Sequence, residues 1–339
     1  MLDLSSWVDL PLIWGGLISI AIVLYVLLDG FDLGIGILFP FAPSDKCRNR
    51  MMSSIAPFWD GNETWLVLGG GGLFAAFPLA YSIVMPAFYI PIILMLLGLI
   101  FRGTAFEFRF KAQGKQRILW DYAFHFGSLL AAFMQGMILG GFIQGIEVRG
   151  RAFAGGPFDW LNAFSVMTGI AVVFGYALQG SAWLVMKTEN STQVWARKTA
   201  SYVLVYVGFF LALVSLSMPY MNEGVATLWF TIPNFFWLMP IPLITLLMFV
   251  FLWRDLHTAR EIRPFILSQG IFILGFIGLG FSLWPWVVPF KVTLWEAAAA
   301  APSQSLLLIG ALIMLPIILA YTGYSYYVFR GKASHEAHY

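Results

Sequence analysis

Long runs of apolar residues fill most of this chain, and short polar segments separate one run from the next. A run of about 18 or more apolar residues is long enough for one helix to cross a lipid bilayer. The pattern therefore predicts an all-α, polytopic transmembrane protein of nine helices. The predicted spans are 11–40, 64–83, 85–107, 120–146, 160–186, 200–219, 234–253, 264–287 and 305–329.

Composition supports the membrane assignment. Hydrophobic residues make up 60% of the 339 residues and charged residues 11%, whereas soluble proteins carry about 25% charged residues. A soluble domain has too much surface to be this apolar, so that class is excluded. No basic segment precedes the first run and no small-residue cleavage site follows it, so we expect a retained helix rather than a signal peptide.

The distribution of lysine and arginine predicts the orientation, because these residues collect in cytoplasmic connections. Of the 19 lysines and arginines, Arg149, Arg151 and Lys291 fall on the side of the N-terminus, and Arg102 lies within the third span. All the others fall on the opposite side, so we expect the N-terminus outside and the C-terminus inside. These inside residues are Lys46, Arg48, Arg50, Arg109, Lys111, Lys115, Arg117, Lys187, Arg197, Lys198, Arg254, Arg260, Arg263, Arg330 and Lys332.

Two segments resemble each other weakly: LYVLLDGFDLG at 24–34 and FGYALQGSAWL at 174–184. Both predicted helices run in the same direction, which suits parallel repeats of four helices at 11–146 and 160–287, followed by one extra helix at 305–329. We therefore expect two four-helix bundles and an extra helix within a single integral membrane domain. A chance match between two glycine-containing helices explains the likeness equally well.

Four acidic residues interrupt the apolar early part of the chain in two pairs. Asp29 and Asp32 lie within the first predicted helix, and Asp60 and Glu63 precede the second. A spacing of three places both members of a pair on one helix face. Left ionised in hydrocarbon, four carboxylates would cost roughly 10 kcal/mol, so they must be protonated, paired or in contact with water. Interfacial helix caps are one interpretation, and a proton path on the cytoplasmic side is the other.

Neighbouring residues complete this candidate site. Trp59, Asn62 and Trp65 flank the second acidic pair, and Arg102 on the third predicted helix could pair with one of the carboxylates. The two tryptophans stand apart from the interfacial belts that tryptophan usually forms, because they lie beside acids. These four side chains are therefore candidates for supporting the acids or for facing a partner.

A further polar pair lies four residues apart on the fourth predicted helix. Asp121 and His125 share a helix face near the inner side. One interpretation is a hydrogen-bonded pair that orients the helix. The other is a branch of the proton path.

Ligands for redox centres are scarce in this sequence. The single cysteine, Cys47, excludes an intrachain disulfide and a cysteine-held iron–sulfur cluster. Of four histidines, His257 lies in a predicted loop and His335 and His338 lie in the tail, so His125 alone is available inside the membrane. The chain could hold at most one haem, and a bis-histidine site is excluded. We find no zinc-ligand spacing, phosphate-binding loop or nucleophile motif, and we predict no metal site.

Three segments resemble the signatures of a known family: DGFDLGIG at 29–36, SIAPFWDGNETWLVLGGGGLFAAFP at 54–78 and GLIFRGTAFEFRFK at 98–111. They look like subunit II of the cytochrome bd-type quinol oxidases, and most like the branch called cyanide-insensitive oxidases. The segments cover the first third of the chain and are specific when taken together. The remainder agrees with the family in length, helix number and polarity.

The resemblance implies a multi-pass complex of the bacterial inner membrane that oxidises quinol and reduces dioxygen to water. In this family haems b558, b595 and d and the principal quinol site belong to subunit I, the pseudo-symmetric partner. Subunit II is expected to hold no haem, to scaffold subunit I and to contribute a cytoplasmic proton path. No nucleic-acid partner is expected. The resemblance leaves open whether small accessory subunits or a structural quinone accompany this chain.

The resemblance also assigns roles to the acids. The aspartate of the family's WDGN motif belongs to the proton channel, which carries over to Asp60, and the aspartates of DGFD, here Asp29 and Asp32, are expected to stabilise the complex or its haems. Two departures matter: Phe58 stands where other members have histidine, and Glu63 stands where they have glutamine. A relay through that histidine cannot operate here, whereas Glu63 adds a protonatable group beside Asp60.

Two other functions compete with this interpretation. A proton- or cation-coupled secondary transporter built on parallel repeats would use the acids as coupling sites and would need no haem partner. A purely structural membrane scaffold would tolerate Asp60→Asn and Glu63→Gln without loss of turnover.

Overall fold

The structure, a computed structural model, describes residues 8–333 as an almost entirely helical protein. His335 and His338 lie outside the described residues. The helices are α1 Leu10–Leu38, α2 Asp45–Ile55, α3 Trp59–Ala76, α4 Pro78–Ala87, α5 Tyr89–Arg109, α6 Gly114–Gln144, α7 Ala163–Lys187, α8 Asn190–Met221, α9 Glu223–Phe230, α10 Asn234–Leu238, α11 Pro240–Leu256, α12 Arg263–Leu283, α13 Leu294–Ala297 and α14 Ala301–Val328, with a 3-10 helix at Phe39–Phe41.

Two short antiparallel ribbons interrupt the helices. One pairs β1, Val148–Arg149, with β2, Ala152–Phe153, and the other pairs β3, Trp286–Val288, with β4, Val292–Thr293. The second ribbon occupies the last residues of the predicted span 264–287. That helix ends earlier, at Leu283, because Pro285 cannot donate a helical hydrogen bond.

Eight helices within residues 8–333 are long and apolar enough to cross a membrane. This confirms a polytopic helical membrane protein, and the eight correspond to all the predicted spans except 64–83. They are Leu10–Phe41, Tyr89–Arg109, Gly114–Gln144, Ala163–Lys187, Asn190–Met221, Asn234–Leu256, Arg263–Leu283 and Ala301–Val328.

The bounds of the second predicted span, 64–83, are wrong. Helix α3 starts earlier and carries both members of the second acidic pair, and its 18 residues extend about 27 Å. It ends because Pro78 follows and pushes Phe77 out of helical conformation. The remaining residues of the predicted span belong to α4, which lies against β2 and β3.

Helix α3 runs beside α14 from one end of the molecule to the other. Near its start, Asn62 accepts a hydrogen bond from the Tyr326 hydroxyl at 2.9 Å. At its end, the carbonyl oxygen of Ala76 accepts a hydrogen bond from the Gln304 side chain at 2.9 Å. The two contacts on α14 are 22 residues apart, about 33 Å of helix, so α3 lies along most of the length of α14.

The segments rich in lysine and arginine meet at one end of the helices. Arg50 of α2 donates to the carbonyl oxygen of Glu189 at 2.9 Å, and Lys332 donates to that of Thr188 at 3.1 Å. The amide of Ala333 donates to the carbonyl oxygen of Lys187 at 2.8 Å. The predicted inside connections are therefore neighbours in the fold, which agrees with the predicted orientation.

Helix α1 lies at the centre of the fold, in contact with α3, α6, α7, α12 and α14. Its closest neighbour is α7, because glycines remove the side chains that would separate the two backbones. A Cβ atom on Gly34 would lie 1.8 Å from the carbonyl oxygen of Tyr176, and one on Gly180 would lie 2.6 Å from the carbonyl carbon of Gly34. This contact fixes the position of the acidic segment of α1.

Candidate functional site

The first acid, Asp29, forms a buried ion pair across two helices. Its Oδ1 atom lies 2.6 Å from Nη1 of Arg102 on α5, and the side chains are 0% and 1% exposed. The other guanidinium nitrogen, Nη2, lies 3.6 Å from Oε2 of Glu63 on α3, whose side chain is 29% exposed. Arg102 therefore joins the two acidic pairs, as the sequence suggested it could.

The second acid, Asp32, is held by a different set of contacts. Nδ2 of Asn62 donates to Oδ2 of Asp32 at 2.7 Å and also contacts the carbonyl oxygen of Leu28 at 3.2 Å. The Tyr326 hydroxyl donates to Oδ1 of Asn62. Asn62 therefore links α1, α3 and α14.

Asp60 is the outermost of the four acids. It lies exposed in the first turn of α3, and Glu63 follows about 4.5 Å further along the helix axis. The ring of Trp59 lies against the site, with the guanidinium carbon of Arg102 5.9 Å from its centroid. The acids thus pass from exposed to half-buried to fully buried.

Trp65 lies on the buried side of α3. Its ring packs against Ala21 and Tyr25 of α1, and its Nε1 atom has no hydrogen-bond partner among the described residues. Trp65 therefore packs against α1, beside the acids.

Three uncharged polar residues extend the site toward α6 and α7. Nε2 of Gln135 donates to the Tyr25 hydroxyl at 2.6 Å, and the Tyr176 hydroxyl donates to Oε1 of Gln135 at 2.7 Å. Tyr25 lies one helical turn before Asp29 on α1, which places the two side chains on the same helix face. Our sequence analysis missed these residues, although a lone glutamine within an apolar run is a signal that could have singled out Gln135.

Several buried polar atoms around α1 have no hydrogen-bond partner in the part of the chain that the structure describes. Such groups in folded proteins are normally satisfied by other protein groups or by ordered water. Their concentration beside the acids favours a site that water reaches. The atoms are Oδ2 of Asp29, Oδ1 of Asp32, Oε1 and Nε2 of Gln179, and Oε1 of Gln269.

Asp121 and His125 take different partners. Asp121 accepts a hydrogen bond from the guanidinium of Arg109, which also donates to Oδ1 of Asn49 at 2.9 Å. Nδ1 of His125 lies 3.1 Å from the carbonyl oxygen of Gly36, which can only accept. Asp121 therefore ties α6 to α5, and His125 ties α6 to α1.

The described residues include no group of three or more His, Cys, Asp or Glu side chains that could hold a metal ion. Cys47 accepts a hydrogen bond from the Thr192 hydroxyl at 3.2 Å, at the end where the basic segments meet. His125 supplies one nitrogen inside the membrane and uses the other on a backbone carbonyl. A bis-histidine haem would need a second imidazole, and His125 is the one histidine within the membrane-spanning helices that the structure describes.

Comparison with known proteins adds family information. The family model described as cytochrome bd terminal oxidase subunit II matches residues 10–329. The chain is similar to cytochrome bd-I ubiquinol oxidase subunit 2 of Escherichia coli (strain K12), with 29% identity and 96% of each chain covered. It is also similar to cytochrome bd ubiquinol oxidase subunit 2 of Bacillus subtilis (strain 168), with 30% identity and coverage of 96% of this chain and 97% of the relative.

A solved structure has the same fold. A chain in the structure of bd oxidase from Geobacillus thermodenitrificans superposes with a TM-score of 0.73 at 16% sequence identity. The superposition covers 94% of this chain and 98% of the other, so the likeness extends over the whole helical arrangement.

Proposed function

Because the chain belongs to the family of subunit II of cytochrome bd terminal oxidases, we propose that it is the haem-free subunit that scaffolds subunit I and carries protons from the cytoplasm. The complex is a quinol oxidase, an oxidoreductase of the bacterial inner membrane. Reduction of dioxygen to water consumes protons, so a path from the cytoplasm is needed. The family match over 10–329 favours this function over a secondary transporter.

The observation that carries the proton path is the graded burial of acids at the cytoplasmic end. Asp60 is exposed, Glu63 is partly exposed, and Asp29 is fully buried against Arg102. A proton can enter from water at Asp60, pass to Glu63, and move from there toward the buried acids of α1. Burial then protects the inner acids from exchange with bulk water.

Charge balance indicates which groups can hold the proton. Among the described residues, Arg102 is the cation whose positive charge attracts three carboxylates. These are the carboxylates of Asp29, Asp32 and Glu63. The direct ion pair at 2.6 Å satisfies Asp29 as an anion. Two further anions in the same low-dielectric region would repel each other, so Asp32 and Glu63 are the sites where a proton would reside.

The proposed scaffold surface is an apolar stripe on α3. Val67 and Phe74 lie seven residues apart, which places them on one helix face, and both are exposed. A partner subunit covering this stripe would shield the path from lipid. Subunit I would then hold the haems b558, b595 and d, which the scarce donors of this chain do not suit.

We also propose that 11–146 and 160–287 are parallel repeats, with 305–329 as the extra helix. The two similar segments lie in α1 and α7, and they meet in the structure. A Cβ atom on Gly30 would lie 2.3 Å from Oε1 of Gln179. The two segments therefore face each other at the centre of the fold, although Gly30 contacts Gln179 rather than Gly180, its counterpart in the second segment.

The test of the proton path is Glu63→Gln in the purified two-subunit oxidase. We expect quinol-dependent oxygen consumption to fall several-fold, while the reduced-minus-oxidised spectrum shows unchanged haem content. Glu107→Gln is the matched control, because Glu107 is an exposed glutamate at the same end, on α5. Equal oxygen consumption in the two variants would contradict a role for Glu63, and loss of haem in Glu63→Gln would assign it to assembly instead.

A further inference from the structure

A third fully buried acid, besides Asp29 and Asp32, lies far along the chain, where α11 ends. Asp255 is fully buried and is surrounded by three arginines, each about half-exposed. Its Oδ1 atom lies 3.2 Å from Nη1 of Arg260 and 3.6 Å from Nε of Arg254, and its Oδ2 atom lies 3.1 Å from Nε of Arg263. The carboxylate of Asp255 thus forms ion pairs with three guanidinium groups that reach the surface.

A fourth arginine fixes the loop that carries this cluster. Arg197 of α8 donates from Nη2 to the carbonyl oxygen of Arg260 at 2.7 Å and from Nη1 to that of Thr258 at 2.9 Å. The loop between α11 and α12 is therefore held against α8. With Glu261 of the same loop and its ion-pair partner Lys332 included, five cations stand against two anions, which leaves a net charge of +3 in this region.

The cluster lies between the end of α11 at Leu256 and the start of α12 at Arg263, which is the level expected of lipid headgroups. It belongs to the end of the molecule where lysines and arginines collect, which is the cytoplasmic end. Large apolar side chains adjoin it on α11, before α12 and within α12: Trp253, Ile262 and Ile266 are all well exposed. Helix α11 packs mainly on α12 and α8, away from the acids of α1 and α3.

The geometry points to a binding site for one anionic phospholipid in the cytoplasmic leaflet, with its phosphate on Arg254, Arg260 and Arg263. Guanidinium groups offer paired N–H donors that match phosphate oxygens, and each of these arginines keeps an exposed edge after contacting Asp255. The acyl chains would lie along the exposed apolar residues beneath. Basic pockets between transmembrane helices on the cytoplasmic side are known to bind anionic headgroups.

The test uses the purified oxidase complex, delipidated in detergent and titrated with dioleoyl phosphatidylglycerol, with native mass spectrometry to count retained lipids. The variant combines Arg254→Gln, Arg260→Gln and Arg263→Gln with Asp255→Asn, so that no buried carboxylate is left unpaired. We expect this variant to retain one phosphatidylglycerol fewer, or to bind it at least about tenfold more weakly, than the wild type.

Controls separate this site from general charge effects. Arg149→Gln/Arg151→Gln changes two exposed arginines at the opposite end, and we expect it to retain the lipid. Asp255→Asn alone keeps the three arginines and should retain the lipid as well. If the combined variant does not assemble, Arg260→Gln alone replaces it, and weaker retention is again expected.

Three results would overturn the proposal. The first is equal retention of phosphatidylglycerol in the arginine variant and in the control. The second is equal retention of dioleoyl phosphatidylcholine by the wild type, which would remove the requirement for a net negative headgroup. The third is displacement of the lipid by inorganic phosphate, which would make the cluster a site for free anions.

Discussion

Removing one partner of the buried ion pair between α1 and α5 should lower the free energy of unfolding more than removing both partners. In Arg102→Met, the carboxylate of Asp29 stays buried without its 2.6 Å partner, and removal of one member of a buried pair costs about 3–5 kcal/mol. The contact of Arg102 with Glu63 adds little, because that carboxylate is partly exposed and 3.6 Å away. In the double variant Asp29→Asn/Arg102→Met no buried charge is orphaned, so most of the loss should be recovered.

The size of the effect makes it measurable by thermal unfolding of the purified complex, followed by tryptophan fluorescence. An unfolding entropy of about 2 cal/mol/K per residue converts the loss into a Tm decrease of about 4–7 °C for a chain of 339 residues. The control is Arg149→Met, because Arg149 is 80% exposed and pairs with Glu147 in water. There we expect a change within about 0.5 kcal/mol.

Two outcomes would refute this reasoning. A Tm of Arg102→Met within one degree of the Arg149→Met control would mean that Asp29 is neutral or otherwise compensated when Arg102 is absent. A double variant less stable than Arg102→Met alone would mean that the carboxylate of Asp29 stabilises the protein mainly through a buried contact other than the ion pair.

Three further predictions concern other parts of the fold. Asp32→Asn should lower the haem-to-protein ratio of the purified complex, and an unchanged ratio with normal turnover would contradict a role in stabilising the haems. Gly34→Ala should reduce assembled complex in membranes, because its Cβ would collide with a backbone oxygen of α7, whereas Gly16→Ala, with open space, should not. Hydrogen bonding from Lys332 lowers the pKa of Glu261, so the contact that attaches the segment around Lys332 should be present at neutral pH and be lost as pH falls through that lowered pKa. Hydrogen–deuterium exchange of this segment measures the loss. Lys332→Met should abolish the pH dependence.

The sequence predicted the helices best where apolar runs are long and bounded by polar residues. It failed at α3, because two acids and a glycine run lower the apolar signal there, and the true helix begins five residues before the predicted span. The short helix α2 was missed, because its charged residues look like an ordinary cytoplasmic connection. Local pattern alone cannot separate a charged surface helix from a loop.

The acids were found from the sequence, but their partners were found only in part. Spacing placed Asp29 and Asp32 on one face, yet the first contacts Arg102 and the second contacts Asn62. Tyr326 joins the site from 264 positions away from Asn62. Such a contact depends on how helices are arranged in the bundle, and nothing in the local sequence of either residue specifies it.

The contact between α3 and α14 has a consequence for biogenesis. Because α14 follows α1 to α13 along the chain, the hydroxyl of Tyr326 reaches Asn62 only after those helices have been made. During translation, the amide that holds Asp32 is therefore incompletely bonded. A chain that stops before α14 cannot complete the acidic cluster, so this one hydrogen bond forms only when α14 has been made and placed beside α3.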